Sequence, residues 1–265
     1  MALTTEQRMA NRSRKERMGR IASIAAPAII FLLLLAVWQA AVVILNIPAW
    51  LLPKPTRIFL AMFRNFKEFL PHIIRSYSTI ILGFLWATAT GITLAAFLSN
   101  FKLLGVALTP YIIFLCTTPV ITLVPLLLLF FGFGQWVMVF AVMLQAFPIL
   151  NMNAGTGFDN VPILQLELMR SLRASRLQTF FHCTFPASLP SVFTGMKLSS
   201  IFSTTACISS EFSGGNKGLG ANIIIYTQFM ATDKAFACIF YVAAIGLFLY
   251  TAINVLESKV IKWKI

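Results

Sequence analysis

The sequence predicts an all-α polytopic membrane protein with about six transmembrane helices and one helical loop projecting from them. Three observations carry this. Of 265 residues, 58% are hydrophobic and 11% charged, with a mean hydropathy of +0.84, whereas soluble domains carry about 25% charge. The apolar residues fall in stretches long enough to cross a bilayer, which takes ~20 residues each. The formal net charge of +13 is gathered largely in clusters that flank those stretches, the pattern of cytoplasmic segments under the positive-inside rule. Such hydrophobicity excludes disorder and leaves too little polar chain for a separate soluble catalytic domain. The basic residues form no single face, so the expected partner is the lipid bilayer and not nucleic acid.

Residues 1–20 read as a cytoplasmic basic tail carrying Arg8, Arg12, Arg14, Lys15, Arg17 and Arg20, and residues 21–265 as a single transmembrane domain. Ile21 to Leu45 is longer than the apolar region of a signal peptide and is read as an uncleaved first span, with Trp50 at the far interface. The Pro-rich turn Pro48–Pro55 follows. Arg57 to Leu70 mixes Ile58, Met62, Phe66 and Phe69 with Arg57, Arg64 and Lys67, which predicts an amphipathic helix on the membrane surface. Its positive charges run against a topology that puts this connection outside. Further apolar stretches cover about Tyr77–Leu98, Val106–Phe131, Trp136–Met152, Leu189–Phe212 and Phe236–Val260. Pro110, Pro119 and Pro125 interrupt Val106–Phe131 and predict two short or bent helices there, since the bonds proline frees can be satisfied by neighbouring helices. Basic residues again gather at Lys259, Lys262 and Lys264.

The connection from residue 154 to 186 is exceptional, because it is about thirty residues long and helically patterned. Pro162 suits a helix start with Asp159 or Asn160 near the cap. Leu164, Leu168 and Leu172 make one apolar stripe, and Glu167 and Arg170 are i, i+3 neighbours able to pair. Arg173-Ala174-Ser175 suits a corner. Leu177, Phe180 and Phe181 then give a second apolar face before Pro186. Two short helices at an angle follow from this pattern, and it fits equally a hairpin resting on lipid headgroups or a projecting docking element.

The segment resembles the "EAA" loop of ABC importer permease subunits of the binding-protein-dependent transport family. That pattern runs E-A-A, three residues, G, nine residues, I-x-L-P. Glu167 and Pro186 stand at its two ends with the full spacing, and Arg170 to Gln178 is close to the family's usual "RSLGASRWQ". Leu168 and Met169 replace the alanines, Arg173 the glycine, and Cys183 and Phe185 the Ile and Leu. Leu52-Pro-Lys-Pro55, Thr118-Pro119 through Gly134, Glu211 to Gly220, and Glu257 with Lys262-Trp-Lys264 resemble further family segments. The resemblance thus runs from about Pro48 to the end and is nearest the nitrate, sulfonate and taurine branch. Arg173 leaves two possibilities, because a non-glycine residue at positive φ is uncommon: another turn geometry, or a partner with a different groove.

The resemblance implies a permease domain without catalytic residues, fitted to a bacterial cell membrane with both termini cytoplasmic. Consistently, the sequence has no G-x-x-x-x-G-K-[ST] phosphate loop, so ATP hydrolysis is expected on a separate cytoplasmic ABC ATPase subunit. The further implied partners are an extracytoplasmic solute-binding protein and a second permease copy. Contact with the ATPase falls to Glu167, Leu168, Arg170, Ser171, Leu172, Arg173, Ala174 and Pro186, with Leu172 as the apolar anchor and Pro186 closing the loop architecturally. The implied solutes are small anions such as sulfonate, taurine or nitrate, or alternatively a thiamine-pyrimidine-like vitamin precursor.

Polar residues inside apolar stretches are costly and often functional, yet hydroxyls also bond their own helix or join helices. Thr117, Thr118, Gln145, Ser203, Thr204, Ser209 and Ser210 are the candidates for a translocation path, and the dense run Ser203–Ser210 marks its helix as the best pore wall. Glu211 is expected at the membrane interface, supporting the glycines from Gly214 to Gly220. Lys197 is expected to snorkel. No arginine interrupts the middle of a span. His72 and His182 lack ligand partners, and Cys116, Cys183, Cys207 and Cys238 read as free thiols, so no metal or cofactor is expected. Two separated histidines do not supply an intramembrane enzyme, and the scarcity of buried acids disfavours a stand-alone secondary transporter.

Overall fold

A computed structural model of the chain describes residues 26–262, so the 1–20 tail lies outside the described residues. Among those described, every regular element is helical. Helix α1 covers Ala26–Ile44 and is only 6% buried, which leaves its apolar side chains facing outward. The chain then turns at Pro48–Pro53 into α2 (Pro55–Arg64), started by Pro55 at its first position, where proline's fixed φ and missing N–H cost nothing.

The amphipathic helix expected over 57–70 is two pieces. Asn65 ends α2, its side-chain amide donating to the Ala61 carbonyl at 3.0 Å, and α3 (Phe66–Asn100) starts directly after it. Ile58 and Phe69 are both fully buried in the main core, and the Tyr241 hydroxyl donates to the Met62 carbonyl at 3.0 Å. The segment therefore packs onto α11 (Thr232–Val260), where its apolar face gains more contact than on lipid alone.

The long core helices are α3, α6 (Gln135–Asp159), α9 (Phe185–Gly214) and α11 (Thr232–Val260). At Gly83, α3 approaches α6 so closely that any Cβ would overlap the Val142 side chain. Small residues allow such approach where water expulsion offers no drive between helices. Buried polar bonds tie the same bundle: Asn151 Nδ2 donates to the Gly91 carbonyl at 3.1 Å, and Ser199 Oγ to the Ala146 carbonyl at 3.1 Å.

Between α3 and α6 run α4 (Lys102–Thr117) and α5 (Val120–Phe131), bent by 98° at Thr118-Pro119. The bend expected from the prolines is present, and Gln145 Oε1 accepts the Val120 N–H at 3.1 Å, replacing a bond the break removes. By length and apolarity α1, α3, α6 and α11 can each cross a membrane, and the bent pair counts as a fifth crossing only if it is one broken span and not a re-entrant loop. Six crossings require α9 as well. It has 30 residues, about 45 Å at 1.5 Å each, but its serines and threonines keep it less apolar than the others.

Lys197 does not snorkel. Its Nζ lies 2.5 Å from Glu257 Oε2, with the two side chains 19% and 12% exposed, joining α9 to α11. An ammonium that finds a carboxylate inside the bundle is better satisfied there than by stretching to headgroups. Lys197→Met removes this partly buried pair and is expected to destabilise by about 1–3 kcal/mol, less than the roughly 3–5 kcal/mol of a fully buried pair. The check is the apparent Tm of the detergent-solubilised protein, with partial recovery in Lys197→Met/Glu257→Gln.

Candidate functional site

The connection after α6 forms an elbow, narrower than 154–186 because α6 continues to Asp159, with Ala154 and Phe158 buried in a second core beside Val192. Its first arm, α7 (Ile163–Ser171), starts after Pro162. Its second arm, α8 (Arg176–Thr179), starts with a capping box in which Ser175 and Gln178 exchange side-chain-to-backbone bonds. A π-helical turn, Phe180–Thr184, then runs without a break into α9.

Pro186 therefore does not end the second arm but lies in the first turn of α9. Proline lacks the N–H for an i−4 bond, and the wide turn absorbs this, with Phe185 N–H donating to the Phe180 carbonyl. Phe158, Phe180 and Phe185 stack beneath the turn, ring centroids 5.4–6.4 Å apart, and fix the elbow to α6 and α9.

The corner settles the geometry around Arg173. The Arg173 N–H donates to the Arg170 carbonyl at 2.9 Å and the Ala174 N–H to the Met169 carbonyl at 3.0 Å, the bond pair of a Schellman cap. Arg173 stands at φ +54°, where that cap usually has glycine. The corner thus takes the left-handed geometry that a glycine would adopt there, and the arginine bears about 1 kcal/mol of left-handed strain. Arg173→Gly is expected to tolerate the corner fully, while β-branched Arg173→Val disrupts it. Hydrogen exchange across 170–175 checks this: unchanged or slower in the glycine variant, faster in the valine variant.

Glu167, Leu168, Arg170, Ser171, Leu172 and Arg173 are all exposed, whereas Ala174 and Pro186 are half-buried. Leu168, Leu172 and Leu177 are 60%, 68% and 72% exposed. Glu167 forms no ion pair with Arg170: among the described residues the ion pairs are Lys197–Glu257 and Lys234–Glu68. Leu168 and Pro186 come together in a groove of about 370 Å³ between the arms, with Gln165, Met169 and His182. The elbow projects with the side chains of Leu168, Leu172 and Leu177 uncovered.

The seven path candidates do not converge. Thr117 and Thr118 both donate to the Phe114 carbonyl. Ser203, Thr204 and Ser210 bond the carbonyls of Ser199, Ser200 and Cys207 on their own helix. Ser209 is half-buried, and Gln145 caps α5. None of the seven lines either of two polar clefts. One cleft, about 550 Å³, lies toward the elbow and includes Ser99, Lys102, Asn151 and Asp159. The other, about 460 Å³, lies at the opposite end and includes Arg75, Gly134, Glu211 and Lys217.

Glu211 is 2% exposed, buried inside the fold near the end of α9. Ser76 Oγ donates to its carboxylate at 2.7 Å, the Gly220 N–H donates at 2.7 Å, and Cys207 Sγ lies at 3.5 Å. Ser76 Oγ also accepts the Leu219 N–H at 2.8 Å, and His72 Nδ1 accepts the Gly218 N–H at 3.2 Å. The buried carboxylate thus anchors the glycine-rich loop before α10 (Leu219–Gln228). Sequence reasoning had the support role but missed Ser76 and His72, which lie far away in the chain. It also missed Arg75, which could have been noticed as a cation between Ile74 and Ser76 in an otherwise apolar helix.

Comparison with known proteins agrees with this architecture. The chain is 28% identical to SsuC of Bacillus subtilis, a permease named for aliphatic sulfonate transport, over 94% of this chain and 90% of that one. It is 27% identical to the formylaminopyrimidine transport permease ThiX of Halalkalibacterium halodurans, over 90% and 95% of the two chains. The fold is similar to a chain of the MetNI methionine ABC transporter in an inward-facing conformation, with TM-score 0.63 at 15% identity, covering 72% of this chain and 95% of that one. Residues 87–262 match the model of the binding-protein-dependent transport system inner membrane component. The chain belongs to that family of ABC importer permeases.

Proposed function

We propose that this permease carries a small sulfonate-, taurine- or nitrate-like anion across a bacterial cell membrane, driven by a separate ATPase docked on the elbow. The single observation that carries the docking is the uncovered apolar corner, Leu168, Leu172 and Leu177, on an element clamped to α6 and α9. Contiguous apolar surface rimmed by charge marks an interaction site, and here Glu167, Arg170 and Arg173 supply the rim. Leu172 anchors, the charges set register, and Ser171, Ala174 and Pro186 shape the corner and its groove. Nucleotide-driven closure of two ATPases would move the elbows as levers, and the helices would rock as rigid bodies.

In this orientation the elbow and both termini face the cytoplasm, α9 completes six crossings, and residues 21–265 act as one permease domain beside a second copy. A binding protein delivers solute to the opposite face. The similarity to ThiX supports a second reading for the solute, a pyrimidine vitamin precursor. Glu167→Cys tests the orientation: a membrane-impermeant maleimide is expected to label it in inside-out vesicles only, and labelling from the external medium alone would remove the proposal.

A further inference from the structure

The outer side, in the orientation proposed above, carries more positive charge than the positive-inside rule favours. Lys54, Arg57, Arg64 and Lys67 line α2 and the start of α3, and Arg75 and Lys217 lie at the cleft. The acids nearby offset them only in part. Glu68 is taken by Lys234 at 2.9 Å, and Asp233 accepts the Lys234 backbone N–H at 3.0 Å.

The cleft of about 460 Å³ gives this charge a destination. Arg75 Nη1 donates to Gln135 Oε1 at 2.6 Å, and Gln135 Nε2 donates to Ser78 Oγ at 2.7 Å. A neutral amide thus orients the guanidinium without neutralising it. Neither Arg75 nor Lys217 has a carboxylate within ion-pair distance among the described residues. Helix α6 starts at the same wall behind Gly134, with no side-chain cap, so its N-terminal N–H groups add positive partial charge. Glu211 also lines the cleft and interacts electrostatically with Arg75; held inward by Ser76 Oγ and the Gly220 N–H, it offsets part of the positive charge and leaves Lys217 and the rest of the Arg75 field uncompensated.

We infer that this cleft is an anion-collecting vestibule at the outer mouth, in which Arg75 and Lys217 select a small oxyanion of the sulfonate or nitrate type. The inference rests on the proposed orientation and deepens it. A planar guanidinium fork matches an oxyanion in two-point contact, and a cleft in which two cations outnumber one buried carboxylate concentrates the oppositely charged solute. A neutral pyrimidine gains nothing from this field.

The test reads local potential and needs no identified solute. Asn216, exposed at the cleft, is changed to cysteine in a Cys116→Ser background of the full permease–ATPase complex in nanodiscs. Its modification by anionic sulfonatoethyl and cationic trimethylammonioethyl methanethiosulfonate is timed against free cysteine. The anion-to-cation rate ratio is expected to exceed that of the free thiol about tenfold. Arg75→Gln and Lys217→Gln should each lower it about threefold, with Arg75→Lys restoring it. Millimolar methanesulfonate should slow labelling in the parent and not in Arg75→Gln. A ratio equal to that of the free thiol, or one untouched by both substitutions, overturns the vestibule. Labelling of residue 216 only from the cytoplasmic face of sealed vesicles would instead overturn the orientation.

Discussion

Leu172→Asp is expected to abolish co-purification of the ATPase subunit while leaving membrane insertion intact. Leu172 is 68% exposed at the end of α7 and packs into neither hydrophobic core, so the permease does not need its side chain to fold. An acid at a helix C-terminus costs only about 0.5 kcal/mol through the helix dipole. In the docked state the aspartate must be buried against an apolar groove without a partner. Burial of an unpaired polar group costs several kcal/mol, and loss of an interface anchor costs ~2 kcal/mol or more. Affinity should therefore fall by at least about a hundredfold, below what survives purification. Glu167→Arg, on the same exposed arm, is expected to act in the same direction through charge mismatch at the rim. Pull-down from solubilised membranes reads both, with permease yield and melting as controls. Normal complex formation in both variants would remove docking through this corner.

What the sequence made legible was whatever is local and periodic. The five apolar stretches after the first span, the bend at Pro119 and the two-armed elbow all follow from apolar spacing and proline chemistry within a dozen residues. The misreadings concern partners distant in the chain. Lys197 was assigned to the headgroups because Glu257, sixty residues away, could not be seen as its partner. The burial of Glu211 was not foreseen because the hydroxyl that binds it belongs to Ser76, 135 residues away. Arg173 was the informative exception. The missing glycine raised doubt about the turn, and the chain answers by holding an arginine in the left-handed region, because the two cap bonds and the capping box beyond fix the corner from both sides.

Gly218→Ala is expected to be the most damaging single methyl in the molecule. Gly218 stands at φ +125° and ψ 166°, a region open essentially to glycine alone. Its added Cβ would also overlap the Glu211 carboxyl group. That carboxylate cannot step aside cheaply, because Ser76 Oγ and the Gly220 N–H both hold it, and moving it leaves a buried acid unsatisfied. Backbone strain of about 1–3 kcal/mol and about 1–3 kcal/mol for each lost bond act together. At about 2–4 °C per kcal/mol for a chain of this size, the apparent Tm of the detergent-solubilised protein should drop by roughly 10 °C. Gly134→Ala is the matched control. It lies at φ 173°, ordinary extended backbone, and its Cβ would meet nothing within 4 Å, so its Tm should stay within about 2 °C of the parent. Equal melting of the two variants would mean that Glu211 does not hold the glycine-rich loop, since strain and overlap separate these glycines and little else does.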